Sequence, residues 1–233
     1  MKRLFSLSLM VGLLLATMSI APASRTNAQT AGMVSSILTR MERQKRSLKT
    51  LRADITMEKY NSQLREKETW SGIVLYIPVA TGSAFARLEW SKPQHEILTT
   101  ENGNYQLYRP RLGIVYEGKT NSIKNRNDGD VLALMNMSAT QLRTKFGEFQ
   151  DMSEETLWGG VWTQHFKVTP KTAASYKYIE VWVDNEGMPV QTKMVEKNDD
   201  ATTVRLTNLA KNQTIPMDQF KQNLDSSVKR VKG

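Results

Sequence analysis

A mainly β chain with a few helices, its strands antiparallel, is the fold class this sequence predicts. From Ala53 onward apolar and polar residues alternate with a period of two, the signature of strands whose side chains point to opposite faces in turn. Clusters of Gly, Pro, Asn and Asp interrupt the alternation at short intervals, as tight reversals require. Helical spacing is confined to two places, and the 233 residues suit one β-rich domain.

The N-terminus has the layout of a secretory leader: Met1-Lys2-Arg3, an uncharged apolar run from Leu4 to Ile20, then small residues. Cleavage fits after Ala23 or after Ala28. The second is preferred, giving a leader over residues 1–28 and a single domain over 29–233. An uncleaved anchor is the alternative, because about 17 apolar residues is the lower limit for crossing a bilayer; Pro22 and the small residues after it favour cleavage.

The chain has no cysteine, so no disulfide staples it and its stability must come from a packed core. The leader also lacks the cysteine on which bacterial lipoproteins are acylated, which predicts an exported protein that is not lipid-anchored. The formal charge is +9 and becomes +6 once Lys2, Arg3 and Arg25 leave with the leader. Outside the cytoplasm that balance suits membrane headgroups or acidic proteins rather than nucleic acid.

Each element follows from local pattern. Residues 33–51 predict a helix, with Val34, Ile37 or Leu38, Met41, Leu48 and Leu51 on one stripe, broken at Gln44 and Lys45. Strands are expected near 53–60, 68–77, 84–90, 95–100, 105–109 and 113–117, forming a meander. Residues 121–130 are a loop by composition, and 131–149 predict a short helical insert capped by Ser138. Strands resume near 161–169, 176–184, 190–197 and 202–209. One strand, Gly72-Ile73-Val74-Leu75-Tyr76-Ile77-Pro78, is apolar on both faces, so two different things must cover it.

The constellations of catalysis are missing. There is no Gly-x-Ser-x-Gly turn, no cysteine nucleophile and no phosphate-cradling glycine loop. His95 and His165 fall on separate strands without ligand-spaced partners, and both read as structural. The acidic pairs Glu154-Glu155 and Asp199-Asp200 sit where carboxylates are solvated, not arranged across a cleft. No cofactor and no metal is implied.

The order of several diffuse motifs is more specific. Ser71-Gly72-Ile73-Val74-Leu75-Tyr76-Ile77-Pro78 is followed by Arg87-Leu88-Glu89-Trp90-Ser91-Lys92-Pro93, Asn102-Gly103 and Tyr108-Arg109-Pro110. Tyr178 to Asp184 then leads into Gly187-Met188-Pro189, and the chain closes with Asn208, Asn212 to Pro216 and Phe220. This resembles the LolA-like family of periplasmic outer-membrane lipoprotein carriers, over roughly Val34 to Phe220.

The resemblance implies an incompletely closed antiparallel β-barrel with a helical lid over an apolar cavity for acyl chains. With alternation it nominates Ile73, Leu75, Ile77, Leu88, Trp90, Tyr105 and Leu107 as cavity lining. Val34, Leu38, Met41, Met135 and Met137 are the candidate lid residues. The implied partners are acylated lipoprotein cargo, an inner-membrane releasing complex and an outer-membrane acceptor, met by a monomer. At about 0.8 kcal/mol per buried methylene, one acyl chain offers roughly 10 kcal/mol against water, yet transfer between apolar sites is nearly neutral. A sensor or binding module of the same fold is the second reading. An exported hydrolase, which would need a buried polar triad, is the third.

Two positions depart from the family's pattern. The basic residue that precedes the first of those prolines and latches the lid is replaced here by Ile77, and the tail after Phe220 lacks the usual Pro-Gly turn.

Overall fold

The computed structural model describes residues 23–79, 84–120 and 138–233, with side chains from residue 31 onward. Most of the leader and the candidate lid residues Met135 and Met137 lie outside the described residues. Helix α1 spans Ala23–Ser47, and strands β1 (Leu51–Asn61), β2 (Glu66–Ile77), β3 (Phe85–Lys92), β4 (Glu96–Glu101), β5 (Asn104–Arg109) and β6 (Ile114–Lys119) follow. A short helix α2 (Ala139–Lys145) precedes β7 (Phe146–Leu157), β8 (Val161–Pro170), β9 (Tyr176–Asp184), β10 (Pro189–Glu196), β11 (Ala201–Lys211) and β12 (Lys229–Lys232).

The strands form one sheet in the order β12-β6-β5-β4-β3-β2-β1-β11-β10-β9-β8-β7. All pairs are antiparallel except β12 with β6. The edge strands β12 and β7 do not pair with each other, so the sheet is an unclosed barrel with helices against one face. The mainly β, lidded fold is therefore the one expected, and among the described residues no helix is long and apolar enough to cross a membrane.

Register defines the two faces, because directly paired residues share one. Tyr116, Leu107, Leu98, Leu88, Val74 and Ala53 form a continuous cross-strand row. A second row joins Trp70, Met57, Val204, Thr192, Val181 and Phe166 through β11 into the other half. Ten of the twelve residues in these rows are buried and apolar, and they belong to two apolar clusters; α1 lies on this inner face. Val115, Tyr108, Ile97, Glu89, Ile73 and Asp54 form a row on the outer face.

The outer face is covered where the strand GIVLYIP needs it. The C-terminal segment packs a 3₁₀ turn, Met217–Phe220, over β3 and β4. Phe220 is buried, with its ring 6.1 Å from that of Phe85. Arg87 Nη1 donates to the Gln219 carbonyl at 3.1 Å, and Gln222 Nε2 lies 3.1 Å from the Gln106 carbonyl. The segment ends as β12 along β6, where it covers that sheet edge.

Several element expectations are corrected. The first helix runs from Ala23 and stops at Ser47, and Leu51 opens β1 instead of closing the helix. The expected helical insert ends at Lys145, and Phe146–Leu157 is a strand. β7 is an edge strand with a largely polar surface, and two register shifts break its alternation, so it lacks the apolar period of a central strand. Twelve strands replace the expected ten among the described residues. The added β12, Lys229-Arg230-Val231-Lys232, is basic and short, as edge strands are.

Candidate functional site: the lidded inner face

α1 presents Ile37, Leu38, Met41 and Gln44 as its buried stripe, with Val34 half-buried on it and Leu48, just past its end, buried as well. The break at Gln44 is a buried polar residue within the stripe, its carbonyl accepting from Ser47 Oγ at 3.1 Å and from the Leu48 N–H at 2.9 Å. Ile37, Leu38 and Met41 pack with Leu142 of α2 and with Phe146, Phe166, Val168, Ile179, Val181 and Val183. α2 starts where Ser138 accepts from the Gln141 N–H and the Gln141 side chain accepts from the Ser138 N–H, a reciprocal cap that satisfies two free donors.

A latch fixes α1 over this surface. Arg40 donates from Nη1 to the Asn185 carbonyl at 3.3 Å and from Nη2 to the Gln164 side chain. Its Nε is buried without a hydrogen-bond partner among the described residues, so the guanidinium is incompletely satisfied. The β9–β10 turn reaches α1 through Gly187, at φ +95°, where a Cβ would lie 2.3 Å from the Arg40 carbonyl carbon. Only glycine permits both that conformation and that approach. An arginine on the helix thus holds the lid in a chain whose strand position carries Ile77.

The seven nominated lining residues divide between faces. Leu88, Trp90, Tyr105 and Leu107 meet in the inner cluster with Val74, Tyr76, Leu98 and Met57. Ile73, Leu75 and Ile77 point outward, paired with Glu89, Arg87 and Phe85. The expectation that all seven share one cavity is corrected by this register: the inner residues of β2 are Val74 and Tyr76, and Leu75 is buried on the outer face. Of the lid candidates, Leu38 and Met41 are in the second cluster and Val34 packs against it.

Sequence reasoning missed Phe166, Val168, Ile179, Val181 and Val183, although their two-residue spacing on β8 and β9 is the same signal that nominated Leu88 and Trp90. It also missed Tyr76, whose phenol burial pushes up to about 12 and so keeps neutral on the inner face.

Among the described residues no group of His, Cys, Asp and Glu could hold a metal ion. His165 has polar partners on both sides: Nδ1 lies 3.2 Å from Ser153 Oγ, Nε2 lies 3.2 Å from Glu180 Oε2, and the ring is 4.5 Å from that of Trp182. These residue types occur in hydrolytic triads, but the trio lies on the face turned away from the lid. Ser153 sits in an extended strand, not a strained turn, and Glu180 is shared with Lys193. It acts as a polar tie across β7, β8 and β9.

Residues 47–223 match the family described as outer membrane lipoprotein carrier protein LolA. The chain belongs to the LolA family. Among solved structures it is similar to an uncharacterized conserved protein from Thermus thermophilus, with 10% identity, 86% of this chain and 99% of that chain covered, and a TM-score of 0.56. It is also similar to MucB, with 15% identity, 82% of this chain covered and a TM-score of 0.55. The Pseudomonas aeruginosa MucA/MucB complex gives 14% identity, 82% coverage of this chain and a TM-score of 0.50. The LolA-family chain spans 63% and 61% of those two chains. No curated protein matches the sequence. At these identities the structural likenesses concern the fold.

Proposed function

We propose that this protein is a soluble periplasmic carrier, exported by its cleaved leader, that binds lipoprotein acyl chains under its lid and moves them from inner to outer membrane. One observation carries the reading: the inner face bears a large apolar cluster in each half of the sheet, and α1 packs Ile37, Leu38 and Met41 into the second of them. Leu88, Trp90, Tyr105 and Leu107, with Val34, Leu38 and Met41, are the proposed acyl contacts. Transfer from one apolar surface to another is nearly neutral, so modest differences in lid closure set the direction of hand-over. No covalent chemistry, cofactor or nucleic acid enters, and the partners are the releasing complex and the acceptor.

Native mass spectrometry with lipid extraction, on protein purified from a periplasmic fraction, tests the reading. Co-purified triacylated lipoprotein, or uptake of a triacylated lipopeptide from micelles, is the expected result. An apo protein that takes up no acylated ligand would overturn it. A binding module that senses a lipid or lipoprotein and holds a partner polypeptide is the second reading, favoured by the likeness to MucB, which has been solved with MucA. It predicts a stable bound state with no release to an acceptor.

A further inference from the structure

We propose that the groove between α1 and α2 binds the phosphate headgroup of an anionic glycerophospholipid, so that the lid itself reads the membrane surface. The groove encloses about 680 Å³ and brings together Arg43 and Arg46 from α1 and Arg143 from α2, over an apolar floor of Leu38 and Ala139. Its one carboxylate, Glu42, pairs through Oε1 with Arg46 Nε at 3.4 Å, and its Oε2 is buried without a hydrogen-bond partner among the described residues. Among the described residues neither Arg43 nor Arg143 has an acidic partner, and both are exposed. Lys171 adds positive charge at the α2 side, its Nζ donating to the Arg143 carbonyl at 2.7 Å.

Arg43 and Arg46 are three residues apart on one helix face, a like-charge neighbourhood that the single Glu42 carboxylate offsets only at Arg46. Guanidinium forks match phosphate oxygens, and a concave site with three guanidinium groups to one carboxylate concentrates a counter-charge. The floor decides the kind of anion. Leu38 also belongs to the apolar cluster under the lid, so a ligand with phosphate at the arginines and hydrocarbon along the floor uses the whole groove. A free phosphate or an acidic peptide would leave the apolar part without a partner.

The proposal deepens the carrier reading only in placing the headgroup beside the lid. It is tested by co-sedimentation of the full chain with phosphatidylglycerol vesicles and with phosphatidylcholine vesicles. Arg43→Gln combined with Arg143→Gln should weaken partition onto the anionic vesicles about tenfold or more. Arg52→Gln combined with Arg65→Gln removes equal exposed charge elsewhere and should change it less than about twofold. Unchanged far-UV circular dichroism checks the fold of both variants.

Equal weakening by the two double variants would mean diffuse attraction and overturn the site. So would equal partition of the wild type onto both vesicle types, or displacement from anionic vesicles by millimolar inorganic phosphate or by polyglutamate. Lipopeptide uptake is measured in parallel. Vesicle discrimination without uptake would reject the carrier reading and keep the groove, and uptake without discrimination would do the reverse.

Discussion

Trp90 is 1% exposed on the inner face, edge-on to Trp70 with centroids 5.8 Å apart. Truncating it removes a large apolar surface and leaves a cavity, so Trp90→Ala should lose about 3–5 kcal/mol in urea unfolding. A loss under about 1 kcal/mol would mean the inner face is not a packed core. Glu89 sits on the other face. Burial is the largest influence on its carboxyl and pushes it up, but hydrogen bonds from Arg87 and His95, with their charges, hold it below 4.5. A depressed folded value stabilises fully above about pH 4.5 and is lost as pH falls through that lower value. Wild-type stability should therefore fall more steeply below about pH 4.5 than that of Glu89→Gln. Parallel profiles would contradict the assigned network. The two-faced character of Ile73 to Ile77 was legible in the sequence, but which parity faced the lid was not. That depends on pairing Val74 with Leu88 and with Ala53, a register that no single strand contains.

At the scale of elements, the lid is held by one incompletely satisfied guanidinium and one glycine approach. Arg40→Ala should speed amide hydrogen exchange along α1 about tenfold, as expected for a hydrogen-bonded latch worth about 1.5 kcal/mol. Exchange confined to wild-type rates would show that apolar packing alone holds the helix. The C-terminal segment is the second cover. Asn212 accepts from the Lys49 N–H at 2.7 Å, and Phe220 fills the outer face, so the closing Asn and Phe positions of the motif are a tether and a plug. Phe220→Ala should cost about 3–5 kcal/mol and leave lipopeptide uptake intact, whereas loss of uptake at unchanged stability would place acyl chains on the outer face. β7 and β12 were illegible for a shared reason. Edge strands are selected against apolar alternation, so the pattern that reveals central strands is absent from them.

On the scale of the molecule, an open sheet with one lidded apolar face and one strapped face gives the same strands two separate tasks. In the carrier we propose, the inner face offers hydrocarbon contact beside α1, and the outer face, covered by the C-terminal segment, stays out of the exchange. The architecture was legible from the order of diffuse motifs, because each marks a strand end or turn that the fold needs. The division of labour between faces was not, since it arises only when the strands of the sheet are in register. The most direct test is photocrosslinking of a triacylated lipopeptide carrying a diazirine near the end of one acyl chain, with crosslinked residues identified by fragmentation. Crosslinks at Leu88, Leu107, Leu38 or Met41 are the predicted result. Crosslinks concentrated at Ile73, Ile77 and Phe85 would contradict the assignment of the inner face as the acyl site.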